Sequence, residues 1–438
     1  MDTRLAAVKS LIKILEQNKT FDEVASSYAE KVKSYPEYLN LTAGTVKHKL
    51  TLDFFVENLS LRPVKKISPP IKNILRTALY ELEYLRTPDY AVINSYVDIT
   101  KKYEKTSSGF VNAVLRNFGR KRKEIHIADI KENPVKHISI KYSHPAWLVE
   151  KWIQEYGIEE TIKICEFNNK TPVLSIRINS LKADKLQIIN LFRENNVEFT
   201  ESKVSDECLI LKNTGNIKNI PGYHEGLWIV QGESSSLVPK ALNPQRNEHI
   251  LDLCAAPGGK TSHIAALMEN SGEVTAVDIN EKRIKRIEEN LERLGITCVK
   301  TVVSDASEYK NQKLFDKILI DAPCSNTGVF GKRPDARWKR TPEDIKSLTE
   351  LQLKILQNAS KLLKTDGIIV YSTCSIEPEE NSQLIEKFLS ENKDFQKEEI
   401  KEINIAPEKT QPGIIQILQS RHNIDGFFIA KIKKIKPA

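Results

Sequence analysis

The sequence predicts an α/β protein whose second half forms a doubly wound parallel sheet, preceded by an all-α region and a small α+β module. The main observation is that short apolar runs alternate with amphipathic helical stretches after about residue 236, the pattern of a sheet covered by helices. By contrast, residues 1–125 show helical periodicity and few alternating β-branched runs. The length of 438 residues predicts about three domains.

Residues 1–126 are predicted to form a helical bundle. Apolar residues recur at helical spacing over 5–15, and Asp2 or Thr3 precedes them as a cap. Further helical stretches cover 41–59, 71–85 and 92–103. Basic residues gather near the end of this region: Arg116, Arg120, Lys121, Arg122 and Lys123. They form either a solvated helix face or an RNA contact.

Residues 127–236 are predicted to form a linker and a small α+β module. The stretch 173–179 alternates like a strand, 181–195 has the spacing of a helix, and 207–211 has the pattern of a second strand. This order favours a ferredoxin-like arrangement. The module has no clear aromatic stacking signature, so RNA recognition by its sheet face is only weakly indicated.

Residues 237–438 are predicted to form a Rossmann-type domain. The strand candidates are 250–253, 273–278, 300–304, 317–321 and 367–371, with a final pair at 414–418 and 426–432. Helices fill the intervals, for example over 280–294 and 341–363. Seven strands that end in a hairpin match the layout of Rossmann-type methyltransferases, and ligands of such sheets bind at the carboxyl ends of the strands.

Two of these strands lead into a cysteine. Residues 317–324 have the sequence KILIDAPC and residues 367–374 the sequence GIIVYSTC. Each is predicted to be a buried parallel strand followed by a thiol. If the strands are neighbours, the thiols of Cys324 and Cys374 lie roughly 5 to 10 Å apart, given a strand spacing of about 4.8 Å. Two thiols held in this way indicate covalent chemistry.

The loop after the first strand of this domain is predicted to bind a nucleoside. Residues 252–261 have the sequence DLCAAPGGKT, and the paired glycines let the backbone approach a ligand closely. Cys254 stands where a phosphate loop needs glycine, and the dinucleotide glycine pattern is absent. Asp278, Asp305 and Asp321 follow at the ends of successive strands. Such acidic groups suit S-adenosylmethionine, which offers ribose hydroxyls, an ammonium and a sulfonium.

Composition narrows the class of protein. The net charge of +8 favours a polyanionic partner, most simply nucleic acid, although many lysine-rich proteins bind none. No apolar run approaches the ~18 residues of a membrane helix, and the N-terminus does not have the pattern of a signal peptide. The six cysteines form no CxxC pair, so we expect neither a zinc site nor disulfides. We therefore expect a cytoplasmic protein. A monomer is expected as well.

The sequence resembles the Sun (Fmu, or RsmB) family of bacterial ribosomal RNA cytosine-5 methyltransferases over nearly its whole length. The matching pieces are 252–261, 321–325 (DAPCS), 371–381 (YSTCSIEPEEN) and 425–430 (DGFFIA). Residues 110–116 (FVNAVLR) match the NusB-like helical domain that this family carries in front. There are two small departures: Asn326 stands where glycine is usual, and Gly232 where an acidic residue is common.

The resemblance implies an activity and its site residues. Cys374 is expected to add to C6 of a cytosine, so that C5 takes the methyl group of S-adenosylmethionine. Cys324 is expected to assist loss of the C5 proton and release of Cys374. Asp321 is expected to hold the methionine end of the cofactor or to orient the base. The cofactor-binding residues are expected to be Cys254, Ala255, Ala256, Pro257, Gly258, Gly259, Lys260, Asp278, Asp305 and Asp321. No metal is expected.

The NusB-like front domain favours 16S rRNA as the substrate, at cytosine 967 in the numbering that the family uses. Transfer RNA or 23S rRNA is the alternative within the class. The target base must leave its stack, which favours a loop, in RNA that is free or in a partly assembled small subunit. Basic residues after the Cys324 loop are expected to meet RNA phosphates, unless they only form a solvated loop: Lys332, Arg333, Arg337 and Lys339.

Two other functional classes can be compared with the sequence. An amino-group methyltransferase would carry an Asp/Asn-Pro-Pro-aromatic motif after the fourth strand, and the sequence Asp-Ala-Pro-Cys at 321–324 does not fit it. A non-catalytic RNA-binding or antitermination factor is suggested by the front region alone. The intact cofactor loop and the paired cysteines argue against that reading.

Overall fold

The computed structural model describes residues 1–212, 214–403, 405 and 412–436. Its contacts divide the chain into two compact units: Met1–Thr171 with Phe330–Arg340, called here the helical unit, and Pro172–Val329 with Thr341–Ala438, called the sheet unit. The three-part division at residues 126 and 236 remains a prediction. Within the described ranges, no helix combines the length and the apolar character that a membrane span requires.

The all-α prediction for residues 1–126 is confirmed, and three further helices at 134–169 lie in the stretch that was predicted to be mainly a linker. The helices are α1 (Thr3–Glu16), α2 (Phe21–Ser26), α3 (Tyr35–Lys47), α4 (Lys49–Ser60), α5 (Pro69–Tyr84), α6 (Asp89–Tyr103), α7 (Ser108–Lys121), α8 (Pro134–Tyr142), α9 (Ala146–Tyr156) and α10 (Ile158–Asn169). Asp2 caps α1, because its side chain accepts a hydrogen bond from the backbone N–H of Leu5. The apolar faces of α1, α3 and α5 meet in one core that contains Leu11, Leu41 and Leu75.

The small α+β module is also confirmed. It contains β1 (Leu174–Ile178), α11 (Lys185–Glu194), β2 (Phe199–Glu201), β3 (Cys208–Leu211) and β4 (Trp228–Val230). The strands form an antiparallel sheet in the order β2-β3-β1-β4. Ile188 and Phe192 of α11 pack with Trp228 in the core of this module.

Most of the remaining chain forms the predicted Rossmann-type domain. Its elements are α12 (Glu233–Leu242), β5 (His249–Leu253), α13 (Gly259–Leu267), β6 (Glu273–Asp278), α14 (Glu281–Leu294), β7 (Val299–Val303), β8 (Phe315–Asp321), α16 (Pro342–Leu362), β9 (Leu363–Thr373), α17 (Ser382–Glu391), β10 (Phe395–Lys397), β11 (Ile414–Ile417), α18 (Gln419–His422) and β12 (Phe427–Lys434). The short helix α15 (Ala336–Lys339), between β8 and α16 in the chain, belongs to the helical unit. The sheet order is β10-β12-β9-β8-β5-β6-β7, and β11 pairs with β12. Strands β5 to β9 are parallel, whereas β12 runs antiparallel to β9.

Helices bury both faces of this sheet. Ile355 of α16 and Ile385 of α17 belong to the core on one face, and Leu237 of α12 and Ile264 of α13 to the core on the other. Burial on both sides explains why the parallel strands are almost continuously apolar. Strands β8 and β9 are neighbours, with Asp321 opposite Ser372. Their following loops therefore begin at the same edge of the sheet.

The segment Phe330–Arg340 belongs to the helical unit. The prediction that Arg337 meets RNA phosphates is wrong, because this side chain is fully buried. Its guanidinium donates hydrogen bonds to the carbonyl oxygens of Lys47, Ser143 and Asn168 and to Oδ1 of Asn169. Arg337 therefore anchors the segment among the helices and has no exposed surface for a phosphate.

The other three basic residues of this segment differ in their burial and in their contacts. Lys339 is half-buried, and its Nζ donates to the carbonyl oxygen of Lys19 and to Asp335 Oδ2 at 2.7 and 2.9 Å. Lys339 is thus already engaged within the helical unit. Lys332 is half-buried and Arg333 is exposed, so their proposed contact with RNA stays a prediction.

Candidate active site

The two predicted catalytic cysteines lie together in the sheet unit. Cys324 Sγ and Cys374 Sγ are 3.2 Å apart, closer than the strand spacing alone suggests. The reason is that both thiols lie in loops beyond the strands, and backbone hydrogen bonds hold these loops together. The pKa of the Cys324 thiol is raised well above its usual value, first by the hydrogen bond with Cys374 and then by burial. Cys324 is buried, whereas Cys374 is partly exposed.

Backbone hydrogen bonds join the loops. The N–H of Gly328 donates to the carbonyl oxygen of Cys374 at 3.0 Å, and the N–H of Gly426 donates to the carbonyl oxygen of Gly328 at 2.8 Å. A Cβ atom on Gly328 would lie 2.2 Å from the carbonyl oxygen of Gly426. Glycine is required there because the backbones approach too closely for any side chain.

A buried carboxylate also holds the two loops together. Glu380 accepts hydrogen bonds from the backbone N–H of Ser325, from the hydroxyls of Ser325 and Ser375, and from Gln352 Nε2. Each serine directly follows one of the two cysteines. Burial raises the pKa of Glu380, although the bonds from the serines oppose that shift. Glu380 thus positions both thiols without touching either.

We expect Glu380→Ala to lower kcat for methyl transfer by about 10²-fold, since misplacing reacting groups by about 1 Å has that effect. The KM for the cofactor should stay unchanged, because Glu380 has no bond to the loop at 252–261. Steady-state kinetics separate the two parameters. Glu386→Ala, which removes an exposed carboxylate on α17, is the matched control. Equal kinetics in both variants, with the fold verified by circular dichroism, would contradict a positioning role for Glu380.

Asn326 lies beside the thiols. Its Nδ2 donates to the carbonyl oxygen of Cys324 at 2.9 Å, and its Oδ1 accepts a hydrogen bond from Cys374 Sγ at 3.2 Å. Asn326 has a φ of 65°, in the left-handed region that glycine favours and asparagine tolerates. This conformation is the physical reason why asparagine can replace the glycine that is usual at this position. The side-chain amide of Asn326 therefore contacts the predicted nucleophile, Cys374.

The predicted cofactor loop connects β5 to α13. Ala255 N–H donates to the carbonyl oxygen of Val277, and Gly258 N–H to that of Ala255. Gly258 has a φ of 93°, and its added Cβ would lie 3.1 Å from Ile287. The loop is therefore tightly packed against α14, and α13 begins at Gly259. Cys254, Ala256 and Pro257 lie in the same turn. Burial raises the pKa of Cys254, so its thiol stays protonated.

The acidic residues at the strand ends differ in what they bind. Asp278 is buried and accepts hydrogen bonds from the backbone N–H groups of Ala256 and Asn280. It thus holds the cofactor loop, and its predicted contact with the ribose stays a proposal. Asp305 is half-buried and accepts from the backbone N–H and the hydroxyl of Ser307. Asp305 therefore forms a local turn after β7.

Asp321 and Lys260 form an ion pair at the end of β8. Lys260 Nζ lies 2.7 Å from Asp321 Oδ2, with exposed side-chain fractions of 10% and 31%. Ser372 Oγ donates to Asp321 Oδ1 at 3.1 Å, and the Lys260 ammonium lies 5.2 Å from the centre of the Phe427 ring. Lys260 is thus directed to Asp321. Lys260 therefore does not donate a hydrogen bond to Cys324 or Cys374 in this structure.

Asp252 supplies a direct test of whether S-adenosylmethionine fits. Its Oδ2 accepts a hydrogen bond from Thr261 Oγ1 at 2.6 Å. Its Oδ1 is buried and has no hydrogen-bond partner among the described residues. A buried carboxylate oxygen needs a donor, and the ammonium and ribose hydroxyls of S-adenosylmethionine are donors. The acceptor-rich set formed by Asp252, Asp278 and Asp321 fits this cofactor, and sequence analysis assigned Asp252 no role of its own.

We expect the Asp252 carboxyl to make stability depend on pH. Burial raises its pKa to about 7, whereas the unfolded value is about 3.9. Between these values the folded chain keeps a proton that the unfolded chain releases, so the free energy of unfolding falls as pH rises. In Asp252→Asn this contribution is absent. The wild type should therefore lose about 2–3 kcal/mol relative to the variant between about pH 5 and about pH 8, at 1.36 kcal/mol per pKa unit.

Urea unfolding of both proteins at the two pH values measures this difference. Burial lowers the pKa of His48 to about 3 and that of His263 to about 4, so these histidines also make stability depend on pH, but they are common to both proteins and cancel in the comparison. A pH-independent difference between the wild type and Asp252→Asn would show that Asp252 ionises normally in the folded chain.

Sequence reasoning missed three groups that shape this site. Glu380 stands inside the quoted stretch 371–381, so its position was visible but its bonds were not. Gln352 lies on α16 without a sequence signal, although its Nε2 reaches both Glu380 and the carbonyl oxygen of Pro323. The contact of Asn326 with Cys374 could have been suspected only from its place two residues after Cys324.

The Rossmann-type sheet, the glycine-containing loop after its first strand and the acidic strand ends define an S-adenosylmethionine-dependent methyltransferase. Family models match three parts of the chain. The model for 16S rRNA methyltransferase RsmB/F matches residues 239–433, that for the NusB family matches 1–120, and that for the RsmF/B-like ferredoxin-like domain matches 144–218.

Relatives that align over nearly the whole chain indicate the same family as the family models. The chain is 36% identical to "Probable ribosomal RNA small subunit methyltransferase B" of Bacillus subtilis (strain 168) and 34% identical to "Ribosomal RNA small subunit methyltransferase B" of Escherichia coli (strain K12), each over 98% of both chains. The chain belongs to the RsmB/F family of 16S rRNA methyltransferases.

Solved structures support the same fold. The structure of PH0851 has a TM-score of 0.80 and 27% identity, covering 98% of this chain and 99% of that one. NSun6 from Pyrococcus horikoshii with SFG, an analogue of S-adenosylmethionine, has a TM-score of 0.62 and 25% identity, covering 67% and 99%. The family models confirm the NusB-like and ferredoxin-like predictions, and these structures agree with the methyltransferase fold.

Proposed function

We propose that this protein methylates C5 of a cytosine in 16S rRNA, cytosine 967 in the family's numbering, through a covalent bond between Cys374 and C6. The observation that carries the proposal is the pair of thiols 3.2 Å apart, after two adjacent parallel strands and in the same unit as the cofactor loop. The names of the whole-chain relatives support small-subunit rRNA as the substrate. The proposed enzyme acts as a monomer in the cytoplasm, on rRNA that is free or in a partly assembled small subunit.

Cys374 is the proposed nucleophile. Cytosine C5 is a weak nucleophile, and addition of a thiolate at C6 makes it electron-rich. S-adenosylmethionine, when bound, supplies the electrophilic methyl group. Cys374 is the more accessible of the two thiols, as a group that must reach a base requires. Asp321, held by Lys260 and Ser372 at the strand end, is proposed to orient the cofactor or the base.

Cys324 is the proposed release residue. After methylation the C5 proton is lost, its electron pair re-forms the C5–C6 double bond, and the bond between C6 and Cys374 breaks. The Cys324 thiol, with its raised pKa, holds a proton that it donates to the departing sulfur. In the same step the Cys324 sulfur accepts the proton that leaves C5, so that both sulfurs end as thiols. Protons therefore balance within the pair.

Bisulfite mapping of ribosomal and transfer RNA tests the substrate. Cells that lack this protein should lose one 5-methylcytosine from 16S rRNA and regain it with the wild-type chain. The Cys374→Ala chain is the matched control and should not restore it. Unchanged 16S rRNA would contradict the proposal. Loss of a methylated cytosine from transfer RNA or 23S rRNA would instead favour the alternative substrates.

A further inference from the structure

The helical unit contains a groove that no part of the proposed reaction uses. Its volume is about 640 Å³, within the range of about 300–1,000 Å³ typical of small-ligand sites. Its lining includes the half-buried indoles of Trp147 and Trp338, together with Leu50 and Ile140. Lys136 and Arg340 are its charged residues, and no acidic residue is among the described residues that line it. The groove is therefore apolar and aromatic, with positive charge only.

One wall of this groove is rigidly fixed. The indole Nε1–H of Trp338 donates to the carbonyl oxygen of Val46 at 2.7 Å, and Lys49 Nζ lies 4.6 Å from the centre of the Trp338 ring. The preceding residue is Arg337, which is anchored by hydrogen bonds to helix-terminal and loop groups of the same unit. Trp338 is therefore held in place before any ligand binds, which lowers the entropic cost of binding.

We propose that this groove binds an unstacked nucleotide of the RNA substrate, away from the base that is methylated. The inference rests on the proposed function, because it takes RNA as the substrate. Indole rings stack with bases of any sequence, and cationic side chains at the same site meet the phosphates. The absence of acidic groups from the lining favours a polyanion over a basic peptide.

The inference also explains the basic segment that follows Cys324. Its buried member, Arg337, does not meet phosphate but fixes the positions of its neighbour Trp338 and of Arg340 three residues later. The segment thus contributes to RNA binding through the groove that it helps to build. Residues on α8, including Lys136, supply the opposite part of the lining.

Binding of the full-length protein to a single-stranded fragment of 16S rRNA tests this. We expect Trp147→Ala to weaken the Kd about tenfold, the scale of one base–aromatic stack, and Trp147→Phe to restore most of the affinity. Lys136→Glu should reduce the slope of log Kd against log salt by about 0.7 or more, since it removes a phosphate contact. Lys141→Glu is the matched control, because Lys141 lies on the same helix outside the groove and is exposed.

The outcomes separate this inference from the proposed function. If Trp147→Ala and Lys136→Glu bind and methylate rRNA as the wild type does, the groove is not an RNA site, while the methyltransferase assignment stands. If wild-type protein does not methylate rRNA but its affinity for RNA falls in these variants and not in Lys141→Glu, the groove stands and the function is wrong. If Lys136→Glu and Lys141→Glu lose the same affinity for RNA, the effect comes from overall charge and not from the groove, and the inference is overturned. Weaker binding only to protein-containing subunits would assign the groove to a protein partner and overturn it too.

Discussion

Replacement of Cys374 by alanine is expected to lower methyl transfer to background, a loss of at least about 10⁴-fold, which is the scale on which removal of a covalent nucleophile acts. Without the thiol, nothing adds to C6, so C5 keeps the low reactivity of an aromatic carbon. Incorporation of radiolabelled methyl groups into 16S rRNA measures the loss. Denaturing gel electrophoresis with labelled RNA should show no covalent complex.

Two controls show that the loss is chemical. Cofactor binding, measured by calorimetry, should be preserved in Cys374→Ala because the loop at 252–261 makes no hydrogen bond to this thiol. Cys298→Ala removes a half-buried thiol at the start of β7, outside the site, and should leave activity near the wild-type level. Methyl transfer by Cys374→Ala at more than a few per cent of the wild-type rate would rule out covalent catalysis by this residue.

Much of the sheet unit could be predicted because its strands are short, apolar and separated by amphipathic helices. The predicted strand at 273–278 matches β6, and that at 317–321 lies within β8. β10 was missed because only Phe395 of its three residues is buried, so the strand has no periodic signal. β9 begins four residues before its predicted start, because the polar residues Lys364, Thr365 and Asp366 interrupt the apolar pattern there.

Only those features of the candidate site that follow from the order of the strands could be predicted from the sequence. The adjacency of β8 and β9 followed from the fold, and it placed Cys324 and Cys374 at one edge. The distance between the thiols did not follow, because it depends on hydrogen bonds that Glu380 makes after the strands have ended. Arg337 shows the same limit, since its charge was visible in the sequence but its burial depends on long-range packing.

Replacement of Cys324 by alanine is expected to trap the enzyme on its RNA. Cys374 can still add to C6, and C5 can still take the methyl group, but the proton exchange that frees Cys374 is lost. Denaturing gels should therefore show a protein–RNA complex that accumulates to about one RNA per enzyme, while multiple turnover stops. Mass spectrometry of the digested complex should find a methylated cytosine attached to the peptide that contains Cys374.

The double replacement of Cys324 and Cys374 by alanine separates a covalent complex from tight binding, because it should form none. The 3.2 Å contact between the sulfurs makes the two roles exchangeable in principle, so the variant in which the complex accumulates decides between them. A complex in Cys374→Ala and none in Cys324→Ala would reverse the roles. Normal turnover by Cys324→Ala without a complex would show that another group exchanges the protons. Asp321 would then be the residue to replace next, because it is a carboxylate at the end of the strand that leads to Cys324.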